Sequence, residues 1–210
     1  MTNAKGPCAP PRAAGLVAGE DGRRRCFGNG AGKAFYAHYH DTEWAVPVHD
    51  DRLLFETLIL EGAQAGLSWE TVLKKRSGYR ALFRGLDPVR VARLRDATLE
   101  RILLDARIVR HRRKVFSART NARAFLELQA AHGSFAQWLW AFVDGEPIVN
   151  RWQRADQVPV STPLGDAVSR ELKAHGMSFV GPTIVYAWLQ GVGVVDDHLS
   201  DCWCRTGTVG

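Results

Sequence analysis

The stretch LKAHGMSFVGPTIVYAWL, Leu172 to Leu189, places two apolar helical segments on either side of a short turn bearing Gly176 and Gly181. The first segment opens at Thr162 and Pro163, a cap followed by proline, and Gly176 reads as its left-handed stop. The second runs from Pro182 to about Gln190. Glycines let backbone N–H groups come close to an anion, and a helix N-terminus at the same point favours negative charge. The turn therefore predicts a phosphate-gripping hairpin of two helices.

Working outward, helix signals recur along the chain. Asp50 and Asp51 predict the start of a helix through Leu53, Leu54, Leu58 and Ile59, and Ser68 predicts the next, with Trp69, Val72 and Leu73 on one face. Asp87-Pro88 opens another, and Asp96 or Thr98 the one after. A long helix is expected from Val109 to Ala131, stopping at Gly133, then a Trp-rich one capped by Ser134. Strand alternation is almost absent, so the fold class is all-α, built of many short helices, with two helical lobes left open. Residues 1–22, rich in Ala, Gly, Pro and Arg and holding Cys8, read as a disordered leader, residues 23–205 as one helical domain, and residues 206–210 as a disordered tail.

Composition narrows the function classes. The chain has 210 residues, 46% hydrophobic and 24% charged, with a formal net charge of +6. That excludes a disordered or fibrous protein, and neither a secretory signal nor a transmembrane helix is expected. Four cysteines are too few for a disulfide scaffold, so a reducing cytoplasm is the expected compartment. The basic segment RIVRHRRK, Arg107 to Lys114, has Arg110 and Arg112 as candidate phosphate contacts.

Two constellations carry chemistry. Cys26 and His40 lie near the start of the ordered chain, and His198 and Cys202 near its end, four residues apart. On a helix that spacing puts both on one face, and two thiolates with two imidazoles match a closed, structural zinc site that would tie the termini together. Spacing alone leaves His38 and Cys204 as competing ligands. The second constellation is Glu61, which follows an apolar helix face, with Tyr39, Trp44 and Trp69 as candidate walls of a flat pocket. A carboxylate there is costly to bury unless a ligand donates to it, and aromatic faces attract a flat cation.

FYAHYHDTEWAVPVHDDRLLFETLILEGAQAGLSWETVLKKR and FVGPTIVYAWLQGVGVVDDHLSDCWC together closely resemble the 3-methyladenine DNA glycosylase I family, from about Arg25 to Cys204. The resemblance implies a helix–hairpin–helix glycosylase fold, one structural Zn2+ and excision of 3-methyladenine from alkylated double-stranded DNA, the first step of base excision repair. By motif it implies Cys26, His40, His198 and Cys202 as zinc ligands and Glu61 as acceptor for the flipped base. Tyr39 and Trp69 would contact and stack on that base, with Trp44 a further wall. Gly66 and Leu67 would lie near the gap left in the duplex, and the Gly176–Gly181 hairpin would hold the backbone. Free 3-methyladenine would be the product, and a monomer is expected.

Several residues depart from the family pattern. Relatives usually carry tryptophan two positions after the first cysteine, whereas here Phe27 and Gly28 follow Cys26, so Phe27 is the candidate replacement wall. Ala45 follows Trp44 where glycine is usual, and Arg107 and Arg113 stand at usual glycines. Asp196 and Asp197, after the hairpin, read as structural. The rival reading is a zinc-stabilised helix–hairpin–helix protein that binds DNA without catalysis.

Overall fold

The computed structural model describes residues 16–206; the leader residues before them, Cys8 included, and residues 207–210 lie outside the described part. The helices are α1 (Ala34–Thr42), α2 (Asp51–Gln64), α3 (Trp69–Leu73), α4 (Arg76–Leu82), α5 (Pro88–Ala92), α6 (Asp96–Leu104), α7 (Arg112–His132), α8 (Phe135–Trp140), α9 (Pro163–Ala174), α10 (Pro182–Gly191) and α11 (Trp203–Thr206). Two ribbons of two-residue strands accompany them. The strand β1 (Val17–Ala18) pairs antiparallel with β2 (Arg24–Arg25), and β3 (Ile148–Val149) pairs parallel with β4 (Val195–Asp196). The all-α expectation therefore holds.

Caps set the boundaries as their chemistry requires. Asp50, Ser68, Asp87, Ser134 and Thr162 each accept a backbone N–H from the first turn of the helix they precede. Asp51 does not cap its own helix. Its carboxylate accepts from Phe135 N and Ala136 N, at 2.9 and 2.8 Å, and so caps α8 from α2, while Gln129 Nε2 donates to it at 2.8 Å.

The helix α2 occupies the centre. It touches α3, α7, α8 and α10, and α10 packs on α9. The side chains between them form one continuous core in which Phe125, Phe135 and Trp188 are fully buried, with the rings of Phe125 and Phe135 stacked at 3.9 Å. No helix among the described residues is long and apolar enough to cross a membrane.

Three expectations need correction. The long helix starts at Arg112, because Tyr79 Oη accepts the Val109 N–H and the His111 ring accepts from Lys114 N as the cap. Arg107 and Arg110 therefore lie in a loop. As expected, Asp96 opens α6; Arg95 precedes it and no side chain caps it. Residues 16–22, assigned to a disordered leader, contain β1, held by its pairing with β2. Finally, His198 and Cys202 sit not on a helix but on the turn between β4 and α11, which brings them together instead.

Asp51→Ala should leave three donors without their acceptor and destabilise the fold by about 2–3 kcal/mol. Denaturant unfolding monitored by tryptophan fluorescence checks this, and a loss within error would remove Asp51 as the cap of α8.

Candidate active site and metal cluster

The two ends of the domain meet at four ligand-type side chains. Cys26 follows β2, His40 lies in the last turn of α1, and His198 and Cys202 follow β4; their ligand atoms all lie within 4.8 Å of one another. Cys202 Sγ is 3.5 Å from both His40 Nε2 and His198 Nδ1, and Cys26 Sγ is 3.7 Å from His198 Nδ1. Metal–sulfur bonds of about 2.3 Å and metal–nitrogen bonds of about 2.0–2.1 Å at tetrahedral angles put S and N about 3.5 Å apart, so donor set and spacing both fit Zn2+.

The surroundings orient the ligands. Asp41 Oδ1 lies 2.9 Å from His40 Nδ1, which leaves Nε2 facing the cluster. Asp41 also accepts from Arg25, at 2.7 and 2.8 Å, and from Trp203 Nε1 at 2.8 Å. Burial works against its charge, but these donors outweigh it and hold the carboxyl below the usual range. Cys204 lies beside the other nitrogen of His40, with Sγ 3.8 Å from Nδ1, and His38 is exposed. Of the two competing ligands, neither joins the four-residue group.

Glu61 lies on the last turn of α2, 5% exposed, and no donor among the described residues reaches its carboxyl. Burial pushes its pKa up to about 8. Tyr39 is buried beside it, and both Tyr39 and Tyr36 are raised above the ordinary phenol range, by burial first and by Glu61 second. The Trp69 ring meets Tyr39 at 5.5 Å and 50°, and Trp69 Nε1 is buried without an acceptor. At the back, a Cβ on Gly191 would sit 3.4 Å from Tyr39 Oη and 3.8 Å from Glu61 Oε1, so the helix backbone there comes within contact of both groups.

The structure rearranges the expected walls. Trp44 packs on His198 at 4.6 Å and His40 at 5.8 Å, and meets the pocket's rings through Phe27 at 5.0 Å. Tyr39 and Trp69 form a corner, too close and too tilted to be a parallel slot. Tyr36 supplies a ring that sequence reasoning missed, 6.4 Å from Tyr39 and nearly parallel at 17°. Its position three residues before Tyr39 on α1 was the available signal. Lys114 was also missed: Nζ donates to Ala63 O at 2.9 Å and Ala65 O at 2.5 Å, capping α2 next to Glu61.

The proposed DNA-facing residues are partly free. Gly66 is exposed with φ +81°, and Leu67 is half-buried in the same turn. Gly176 has φ +81°, and Gly181 precedes α10 with open space where a side chain would be. Asn121 braces the hairpin by exchanging two 2.9 Å hydrogen bonds with Ser178. Arg110 is exposed with no ion-pair partner among the described residues, whereas Arg112 pairs with Glu100 at 2.5 Å.

Residues 30–206 match the family model described as methyladenine glycosylase. The chain belongs to the methyladenine glycosylase family. It is 46% identical over 172 residues to DNA-3-methyladenine glycosylase 1 of Escherichia coli (strain K12), covering 82% of this chain and 92% of that one. It is 41% identical over 174 residues to DNA-3-methyladenine glycosylase of Haemophilus influenzae (strain ATCC 51907 / DSM 11121 / KW20 / Rd), covering 83% and 94%. A crystal structure of 3-methyladenine DNA glycosylase I superposes with a TM-score of 0.79 at 48% identity, covering 81% of this chain and 93% of that chain. A structure describing 3-methyladenine recognition by the Staphylococcus aureus enzyme gives 0.79 at 35% identity, covering 81% and 90%.

Against the methyladenine glycosylase pattern, three of the departures have physical readings, while nothing in the structure explains Arg113. Gly28 has φ +84°, and a Cβ there would lie 2.8 Å from Ala37 N, so no tryptophan fits at position 28 in this backbone. Phe27 supplies the ring instead, 4.8 Å from Tyr36 and 6.3 Å from Tyr39. Arg107 pairs with Asp105 at 2.7 Å on the surface. Ala45 takes φ +62°, the left-handed conformation that glycine adopts without a Cβ clash. Ala45→Gly should therefore stabilise the protein by up to about 1 kcal/mol. A thermal midpoint at or below that of the wild type would contradict this strain.

Proposed function

We propose that this protein is a DNA repair glycosylase that hydrolyses the N-glycosidic bond of 3-methyladenine in alkylated double-stranded DNA, with the base drawn out of the duplex into the Glu61 pocket. The observation that carries the reading is a buried carboxyl without an internal donor, beside Tyr36 and Tyr39, whose rings meet those of Phe27 and Trp69. In a protein that only bound DNA, such a group would be a cost with no return, which speaks against the non-catalytic alternative.

The recognition chemistry follows from charge. Adenine alkylated at N3 is cationic and carries an amine donor. Its arrival supplies both the charge that favours an ionised Glu61 and the missing hydrogen bond. Ring faces add cation–π attraction of about 0.5–2 kcal/mol. Stacking of roughly 1–3 kcal/mol offsets the few kcal/mol spent on unpairing the base. A cationic base is already a good leaving group, so water attack on the sugar carbon needs little further acid catalysis. Tyr39 and Glu61 hold the base, while Gly66, Leu67, Arg110 and the Gly176–Gly181 hairpin hold the DNA. Asp197 remains structural, because Asn150, Trp152, Tyr186 and Gln190 already donate to its two oxygens.

We assign one structural Zn2+ to Cys26, His40, His198 and Cys202. Bound there, the ion would have no open coordination position, so its contribution is to folding free energy and not to the reaction. The protein is read as a monomer in a reducing cytoplasm, where Cys26, Cys202 and Cys204 serve as thiols or metal ligands and not as disulfides.

Glu61→Ala should reduce release of 3-methyladenine from methylated DNA at least about tenfold, the worth of one charge-assisted hydrogen bond. Undiminished release would remove Glu61 from the mechanism. Because the folded pKa is raised, Glu61 contributes stability that is full below its ordinary value of 4.5 and is lost as pH rises through about 8. Glu61→Gln should flatten that decline, as read from unfolding midpoints across the same window.

Cys202→Ser should lower both bound zinc, measured by metal analysis, and the melting temperature. Unchanged zinc stoichiometry would show that the ligand assignment is wrong.

A further inference from the structure

Away from the base pocket, the edge formed by α5 and α6 carries a depression of about 410 Å3 lined by Arg84, Arg90, Arg93 and Arg95, with Leu94 and Thr98. All four arginines are exposed. The acids and carbonyls that could neutralise them are mostly committed elsewhere. Asp96 pairs with Arg119 at 2.6 Å, and Glu100 pairs with Arg112. The carbonyls of Ala92 and Leu94, at the end of α5, accept from Arg123 and Arg119 of α7. Only Asp87 approaches, 3.9 Å from Arg90. Arg84, Arg93 and Arg95 have no carboxylate partner among the described residues.

The backbone is shaped to bring these charges together. Arg84, Gly85 and Leu86 all have positive φ, at 56°, 73° and 52°, and the turn is held by Arg52, which donates to Gly85 O at 2.9 and 3.1 Å. That left-handed turn carries Arg84 to the rim. Arg95 immediately precedes the nine-residue α6, whose first turn no side chain caps, so the positive end of that helix faces the same depression. Four like charges beside an uncapped helix start repel one another until an anion enters.

We propose that this edge is a second anion site that binds phosphate groups of DNA outside the segment carrying the damaged base. The choice of DNA rests on the glycosylase reading; the anion site rests on the arginine cluster alone. Guanidinium forks match phosphate oxygens in pairs, and four of them around a wide depression suit a polymer of regularly spaced phosphates better than one small ion.

The test replaces Arg84, Arg93 and Arg95 together by Gln, and each singly, and measures affinity for a long undamaged duplex as salt is raised. Each neutralised phosphate contributes about 0.9 to the slope of log affinity against log salt, so the triple variant should be shallower by about 2–3 and each single variant by about 1. Release of 3-methyladenine from a short methylated duplex, and the unfolding midpoint, should not change. An unchanged slope overturns the proposal. So does loss of polyglutamate binding with the DNA slope intact, which would make the edge a surface for acidic proteins. Failure of the glycosylase reading looks different: no base would be released by either protein, while the slope difference would persist.

Discussion

A glutamate held out of water with nothing donating to it sets the demands on the rest of this fold. Glu61 rides on α2, and α2 is fixed from several directions: Asp50 caps its start and Lys114 caps its end. One and a half turns before Glu61, the buried Glu56 accepts from Arg76 at 2.6 Å and from Arg80 at 2.7 and 2.8 Å; Arg76 also reaches Glu43. These ionic contacts pin α4 and the segment after α1 to α2. A carboxyl raised to about 8 persists only where its helix cannot turn it back towards solvent.

The metal cluster and the pocket are two sides of one short helix. Tyr39 and His40 are neighbours on α1, one facing Glu61 and the other facing Cys202. Phe27 joins the two, with its ring edge-on to His40 at 4.8 Å and against Tyr36 at 4.8 Å. Trp44 covers the imidazoles from outside. A structural ion at this point would therefore hold the aromatic walls in place while closing the chain ends on each other.

Surface charge is organised in the same economical way. Arg107, Arg112 and Arg119 are each taken up by a nearby carboxylate, so the net charge of +6 is not spread evenly. The unpaired guanidinium groups are what remain for a polyanion. Arg110, next to the His111 that meets Phe179 of the hairpin, and Arg84, Arg93 and Arg95 around the α5–α6 depression are such groups.

Much of this was legible in the order of residues. Asp50, Ser68, Asp87, Ser134 and Thr162 announce helix starts because a short polar side chain satisfies a local N–H, a purely local interaction. Gly176 announces a left-handed stop for the same kind of reason, and the long motifs carried the family. What the sequence could not decide depended on contacts between distant segments. Only packing turned Asp51 into a cap for α8, set Trp44 against the imidazoles, brought Tyr36 beside Tyr39 and Glu61, and put Cys204 beside His40 and Asp41 instead of in the four-ligand group. Caps and turns are settled within a few residues, whereas the burial of a charge and the spacing of ligands exist only once remote parts of the chain have closed around them.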